Sequence, residues 1–235
     1  MRWRTAAAPG APRIVADDLS SIDQSDRQGG RLPVARRIGS AIGADGAMSP
    51  ARSQGGRSPR RANAVVLSDG FDAVANKNAR VLVLGSLPGR VSLEMRQYYA
   101  QPRNAFWKLM GQQFNFRADL PYRSRLAELK RNRVALWDVC ASAHRPGSLD
   151  TSIDTATVRP NDFAVFFSRY KDVGAVFFNG RKAESLYRCL VIPSLPAELR
   201  PLTYTLLPST SPAHATLPFA TKLKYWASVR HATET

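Results

Sequence analysis

Five residues limit most sharply what this chain can become: Val81-Leu82-Val83-Leu84-Gly85, followed at once by Ser86-Leu87-Pro88-Gly89. An apolar run of this length without alternation has no solvent face, so it reads as a strand covered on both sides, the usual condition of a parallel sheet. Gly, Pro and Gly in quick succession then stop the strand and turn the backbone sharply. In open α/β sheets, ligands sit in the loops outside the carboxyl ends of the strands. This loop is therefore the first place to look for a site.

The chain downstream repeats the pattern. With the first strand read over 80–84, helices are expected over 105–112 and 122–132, and a second strand over 134–138. Pro160-Asn161-Asp162 is a helix-start signal for 163–170, and a third strand is expected over 173–178. A helix over 181–190, a strand over 203–207 and a closing helix over 218–230 complete the series. Short apolar strands alternating with helices predict a single three-layer α/β/α domain with a mostly parallel central sheet. Each expected strand runs into a polar or Gly/Pro-bearing segment: 85–89, 138–147, Asn179-Gly180, and Pro208 to His214. Any one of these alone is ordinary turn chemistry. Parallel strands bring all four to the same edge, which predicts one shared cleft.

Residues 1–62 have a different composition. Ala, Gly, Pro, Ser and Arg dominate, lysine is absent and no amphipathic period persists, so they read as a disordered basic extension ahead of a folded domain over 63–235. The formal net charge of the chain is +16. Eleven Arg and five Asp in the extension account for part of it, and 23 basic against 13 acidic residues remain in 63–235. Positive charge on the folded part favours a polyanionic partner such as nucleic acid. The five aspartates argue against a transit peptide, and Met48 offers an alternative start.

Several chemistries are poorly served. Cys140 and Cys189 are far apart with no CxxC spacing, and His144, His214 and His231 follow no ligand spacing, so no metal is expected and the chain reads as a reduced, cytoplasmic protein. No apolar run approaches the ~18 residues of a membrane span. Ser86 stands second in Gly85-Ser86-Leu87-Pro88-Gly89, whereas a nucleophile elbow needs it centred between glycines. Neither a phosphate-gripping Gly-Lys-Ser/Thr nor a Gly-x-Gly-x-x-Gly occurs, so no nucleotide cofactor is expected. What remains at the strand ends are amides, hydroxyls and aromatic rings, the groups that read a planar heterocycle by stacking and edge hydrogen bonds.

The motifs taken together resemble a known family. Gly85-Ser86-Leu87-Pro88-Gly89, Gln97-Tyr98-Tyr99-Ala100, Pro102-Arg103-Asn104-Ala105-Phe106-Trp107, Ala135-Leu136-Trp137-Asp138-Val139, Gly147-Ser148-Leu149-Asp150 and Leu207 to Ala215 occur in an order similar to the uracil-DNA glycosylase superfamily. They look most like its family 6 hypoxanthine-DNA glycosylases, over residues 70–226. The resemblance implies a monomeric, cofactor-free, monofunctional DNA glycosylase of base excision repair. Such an enzyme flips hypoxanthine, the deaminated form of adenine, out of double-stranded DNA and hydrolyses its N-glycosidic bond.

The resemblance also suggests roles. Other branches carry Asp or Asn immediately before the first-loop proline to activate water, but Leu87 stands there and cannot polarise it. The family 6 pattern assigns that role to the Asn of its Pro-Arg-Asn segment, here Asn104. As a helix N-cap before Ala105 the same Asn needs no catalytic role, and the two are compatible. Asn179 maps onto a strand-end Asn that reads the flipped base, an amide offering both donor and acceptor; it also suits the turn before Gly180. Gly85, Ser86, Leu87 and Pro88 would border the base. Tyr98, Tyr99 or Phe106 could stack on it or serve as core. Leu207 stands where several branches place an electrophilic His, which leaves backbone N–H groups or another side chain to stabilise the leaving base. His214 is the nearest imidazole. Ser209, Thr210, Ser211, Pro212, Ala213 and His214 match the loop that wedges into the duplex. The absence of a lysine from the motif positions argues against a Schiff base and strand cleavage. Two alternatives stay open: a uracil or mismatched-pyrimidine glycosylase, and a non-catalytic nucleic-acid-binding module using the same cleft.

A chain starting near Ala62 is expected to fold and release base as the full chain does, while binding DNA less tightly at low salt. Denaturation midpoints and binding at two salt concentrations check this; a truncated chain that does not fold refutes it.

Overall fold

In the computed structural model, residues 67–147 and 149–234 are described; the extension expected over 1–62 and its boundary lie outside them. The elements in chain order are β1 (Ser68–Asp69), β2 (Val81–Gly85), α1 (Arg90–Met95), α2 (Phe106–Phe114), α3 (Tyr122–Arg131), β3 (Val134–Asp138) and β4 (Cys140–Ala143). They continue with β5 (Arg159–Pro160), α4 (Phe163–Arg169), β6 (Ala175–Asn179), α5 (Arg181–Leu186), β7 (Thr203–Leu207) and α6 (Phe219–Glu234). The expected elements are present with small shifts. Strand β6 begins two residues late and takes in Asn179, and the helix after it turns into a π-type turn over Tyr187–Val191.

The central sheet has the order β3-β2-β6-β7, with every pairing parallel, as the buried apolar runs required. Alternation along each strand divides the core in two. Leu82, Leu84, Ala135, Val176 and Phe178 face Phe163, Phe166 and Phe167 of α4 and Ala183 and Leu186 of α5. Val81, Val83, Val134, Leu136 and Phe177 face Phe106, Leu109 and Met110 of α2, Leu129 of α3, and Trp226 and Val229 of α6. Helices cover both faces, which makes the domain three-layered.

Two features escape sequence patterning. A second, antiparallel sheet of order β1-β4-β5 is also present, built from strands of two to four residues, too short to announce themselves. The helix α1 is also unexpected. It directly follows the first loop and is closed at Arg96, whose φ of 51° places it in the left-handed region.

On the second face, Trp226 is fully buried, meets Phe106 edge-on at 5.9 Å, and donates from Nε1 to the carbonyl of Pro208 at 3.0 Å. It thus ties α6 to both α2 and the end of β7. Trp226→Ala is expected to cost about 3–5 kcal/mol of unfolding free energy, the usual range for emptying an aromatic core position. Urea denaturation measures it, and a cost below 1 kcal/mol refutes the anchoring role.

Candidate active site

The strand ends place three functional groups in one row. Gly85 pairs with Asp138 across β2 and β3, Asn179 follows the Leu84–Phe178 pair on β6, and Asn179 pairs with Leu207 on β7. Alternation sends the side chains of Asp138 and Asn179 to the face that carries α2, one on each side of Gly85. A cavity of about 460 Å³ opens above them. Its wall includes Gly85 to Ser92, Tyr98, Tyr99, Gln101, Arg103, Asn104, Asp138, Arg145, Leu149, Asp150, Asn179 and Ser209 to Ala213. The cleft expected from the four strand ends is present, and its volume suits a small planar ligand.

Gly85 has to be glycine. A Cβ there would overlap Asp138 Oδ1 and lie 3.1 Å from the Tyr99 hydroxyl oxygen, so the side chains of its neighbours occupy the space it leaves. The loop that follows is pinned from behind. The carbonyls of Gly85 and Ser86 accept from the backbone N–H groups of Val139 and Cys140 at 2.9 and 3.0 Å. The next two, of Leu87 and Pro88, accept from the buried guanidinium of Arg145, Leu87 at 3.0 Å. Ser86 Oγ donates to Asp150 Oδ1 at 2.6 Å, and that carboxylate lies 4.0 Å from Arg145. Leu87 and Pro88 are themselves buried, Leu87 in the hydrophobic core.

Asn104 precedes α2. Its Oδ1 accepts from the N–H of Phe106 at 3.0 Å, so it does cap the helix, from two residues before the first helical position. Its amide NH₂ has no protein partner among the described residues, and the residue lines the cavity. Asn179 is buried and clamps the last loop: Nδ2 donates to Thr210 Oγ1 and Oδ1 accepts from Thr210 N–H, both at 2.8 Å. Thr210 is consequently buried, its side chain committed to Asn179, while Ser209 and Ser211 remain partly exposed.

The aromatic candidates separate. Tyr98 is tied into the core, its hydroxyl donating to the carbonyl of Asp72 at 3.2 Å and its own carbonyl accepting from Trp107 Nε1 at 2.9 Å. Phe106 is wholly buried and does not reach the cavity; it supports Tyr99, whose ring stacks on it at 4.1 Å. Tyr99 lines the cavity with a φ of 53°, a conformation seldom adopted by a residue with a side chain. Leu207 belongs to the core. His214 is exposed, ends a short 3₁₀ turn and is not part of the cavity wall.

Sequence reading missed four residues. Arg145 and Asp150 hold the first loop, and Lys222 donates from Nζ to the carbonyls of Ser209 and His214 at 2.7 and 2.8 Å, bracing the last loop. Asp138 was legible as the end of a strand and as part of a matching motif, but with no role. Its Oδ2 is buried with no hydrogen-bond partner. Burial pushes its carboxyl up to about 7, the Asp150 carboxylate adds to that shift, and the Arg145 guanidinium opposes it. Burial likewise drives the Tyr99 hydroxyl far upward, helped by Asp138 and opposed by the Asn179 amide.

Residues 71–230, more than half of the chain, match a family described as the uracil DNA glycosylase superfamily. A protein named hypoxanthine DNA glycosylase from Methanosarcina barkeri is 40% identical over 117 residues, covering 48% of this chain and 72% of that protein. Its counterpart of the same name from Methanosarcina acetivorans is 39% identical over 119 residues, covering 50% and 74%. Among solved structures, a solution NMR structure from Methanosarcina acetivorans, provisionally named a uracil DNA glycosylase, matches with a TM-score of 0.60 and 32% identity. The match covers 72% of this chain and 100% of that one.

A carboxyl whose folded value is raised leaves stability intact below its unfolded value near 4 and costs stability as pH climbs through the folded value near 7. Asp138→Asn is therefore expected to gain melting temperature relative to the parent as pH rises from 4 to 7, with no further gain above. Parallel melting curves of the two chains at pH 4.5, 6 and 8 decide it; a constant difference contradicts a buried, neutral Asp138.

Proposed function

The chain belongs to the uracil DNA glycosylase superfamily, and on that premise we propose that it is a monofunctional DNA glycosylase that hydrolyses the N-glycosidic bond of hypoxanthine in double-stranded DNA. One observation carries the reading. A cavity sized for a base lies at the strand ends of a superfamily domain, in a chain about 40% identical to proteins named hypoxanthine DNA glycosylase.

The proposed reaction begins with the duplex held by positive charge around the cavity, where Arg90 and Arg103 contribute to the wall, and with the target nucleotide turned out of the stack. The partly exposed Ser209 and Ser211 loop presses on the strand from one side. The base enters over Gly85 and meets the Tyr99 ring. The Asn179 amide, after its two bonds to Thr210, keeps one N–H and one lone pair for reading the base edge. Cleavage is dissociative: the sugar becomes oxocarbenium-like and the base leaves with the bonding electrons. Asn104 holds the water that completes hydrolysis at C1′; its Oδ1 has a second lone pair and its NH₂ is uncommitted. Among the described residues, no lysine lines the cavity, which supports hydrolysis over a Schiff base and strand cleavage. The enzyme works as a monomer in the cytoplasm.

Duplexes carrying hypoxanthine, uracil, xanthine or intact adenine, heated in alkali after incubation, test the activity. Strand breaks are expected at hypoxanthine and not at adenine; the absence of breaks at any deaminated base refutes the proposal. Asn104→Ala is expected to lower single-turnover release ~10²–10³-fold, the loss typical of one well-placed polar group, with DNA affinity little changed. Asn104→Asp keeps an acceptor for the Phe106 N–H and should retain more activity than Ala. An alanine variant at full rate would leave Asn104 as a cap alone.

A further inference from the structure

The proposed hydrolysis leaves one requirement open. A purine that departs with the bonding electron pair needs a proton or a compensating charge. Leu207 is aliphatic and buried in the core, and His214 is not part of the cavity wall. Arg145 is buried beside the cavity, but its guanidinium is committed to the carbonyls of Leu87 and Pro88. The amides of Asn104 and Asn179 cannot lose a proton near neutrality.

Asp138 differs from all of these. It is 3% exposed, lines the cavity, and stands beside Gly85 in the same row as Asn179. Its buried Oδ2 has no partner, and the bond from Asn161 Nδ2 goes to its main-chain carbonyl at 2.8 Å rather than to its carboxyl. Burial without a bonded cation favours the neutral acid, which can donate. The geometry points to Asp138 as the general acid of the reaction, giving its proton to a ring nitrogen of the flipped purine as the bond to C1′ breaks. This rests on the glycosylase reading above.

The step balances. The electron pair of the broken bond stays with the base, which leaves neutral after taking the Asp138 proton. Water adds through its oxygen to C1′ and releases one proton, which restores the carboxylic acid by way of solvent. Hypoxanthine and an abasic sugar are formed from one nucleotide and one water.

The surroundings suit the role. Of the groups facing Asp138, Tyr98 and Tyr99 beside α1 are held neutral by burial, and the Cys140 thiol on β4 is pushed up to about 12. The charged ones are Asp150, which raises the Asp138 carboxyl, and Arg145, which lowers it; with burial they leave it titrating at about 7. A general acid is most effective when it titrates near working pH.

The test is the pH profile of single-turnover hypoxanthine release by the full chain between pH 5.5 and 9. The rate is expected to hold level in acid and fall tenfold per pH unit above about 7. Asp138→Asn should be slower by ~10²–10⁴-fold, the usual weight of general acid–base catalysis, and level across the range. It should still bind a duplex carrying 2′-fluoro-2′-deoxyinosine, which resists hydrolysis, within a few-fold of the parent. A parent profile that is flat or rises through pH 7 overturns the assignment even if the variant does not fold. So does a variant with the parent's rate and profile. Failure of the parent to release any deaminated base overturns the glycosylase reading together with this one, whereas release without the expected profile removes only Asp138.

Discussion

Four successive backbone carbonyls, from Gly85 to Pro88, are each taken by the segment that follows β3, and the geometry of the site depends on that arrangement. Two bonds continue the parallel ladder past its end, into Val139 and Cys140, and two come from Arg145. A loop containing proline that leaves a sheet cannot satisfy its own carbonyls, and buried ones left unpaired would cost as much as lost hydrogen bonds. The guanidinium solves this with one side chain, since its planar fork can serve adjacent carbonyls together. Asp150 completes the hold by accepting from Ser86 and lying near the cation. The backbone above the cavity is thereby fixed before any ligand arrives, the condition under which preorganised groups act most strongly.

The cost of this order is concentrated at the same place. Arg145 is almost fully withdrawn from water, and its Nε has no partner. Asp138 is buried without a bonded cation. Tyr99 keeps a left-handed backbone, a strain of ~1–3 kcal/mol for a residue with a Cβ, and the stack on buried Phe106 holds it there. None of these features improves the core. Their coincidence at one sheet edge is what distinguishes a working cleft from a set of turns.

Much of this was legible in the sequence, for identifiable reasons. The runs Val81–Leu84 and Ala175–Phe178 have no polar position, so both strands had to be covered on both faces, and the parallel sheet follows. Gly85 and the Asn179-Gly180 pair marked strand ends because those residue types tolerate what strands do not. The small antiparallel sheet was not legible, since Ser68–Asp69 and Arg159–Pro160 are too short and polar to show a period. Phe106 read equally well as a stacking face or as core, because an aromatic at helical spacing carries no record of which side faces a cavity; the fold buries it beneath Tyr99. Arg145 and Lys222 gave no signal, since their roles consist of bonds to backbone atoms distant in sequence, and such bonds impose no local pattern; Asp150 stood in a matching motif, but nothing there announced its bond to the Ser86 hydroxyl.

The choice of amides at Asn104 and Asn179, and of an acid at Asp138, follows from how many bonds each position must make. Asn104 turns the chain into α2 and Asn179 anchors Thr210, yet each keeps part of its amide uncommitted. An amide has two donor hydrogens and two acceptor lone pairs, so it can be tethered by half its capacity and still act with the rest. Tethering also removes the rotational freedom that would otherwise be lost when substrate binds. At the buried Asn179 a carboxylate would have no hydrogen to give Thr210 and would carry an unpaired charge. Asp138 has the reverse requirement. Its structural neighbour, Gly85, asks nothing of the side chain, so the carboxyl carries no tether. A group held by burial alone can change its protonation state without unfastening the loops on either side.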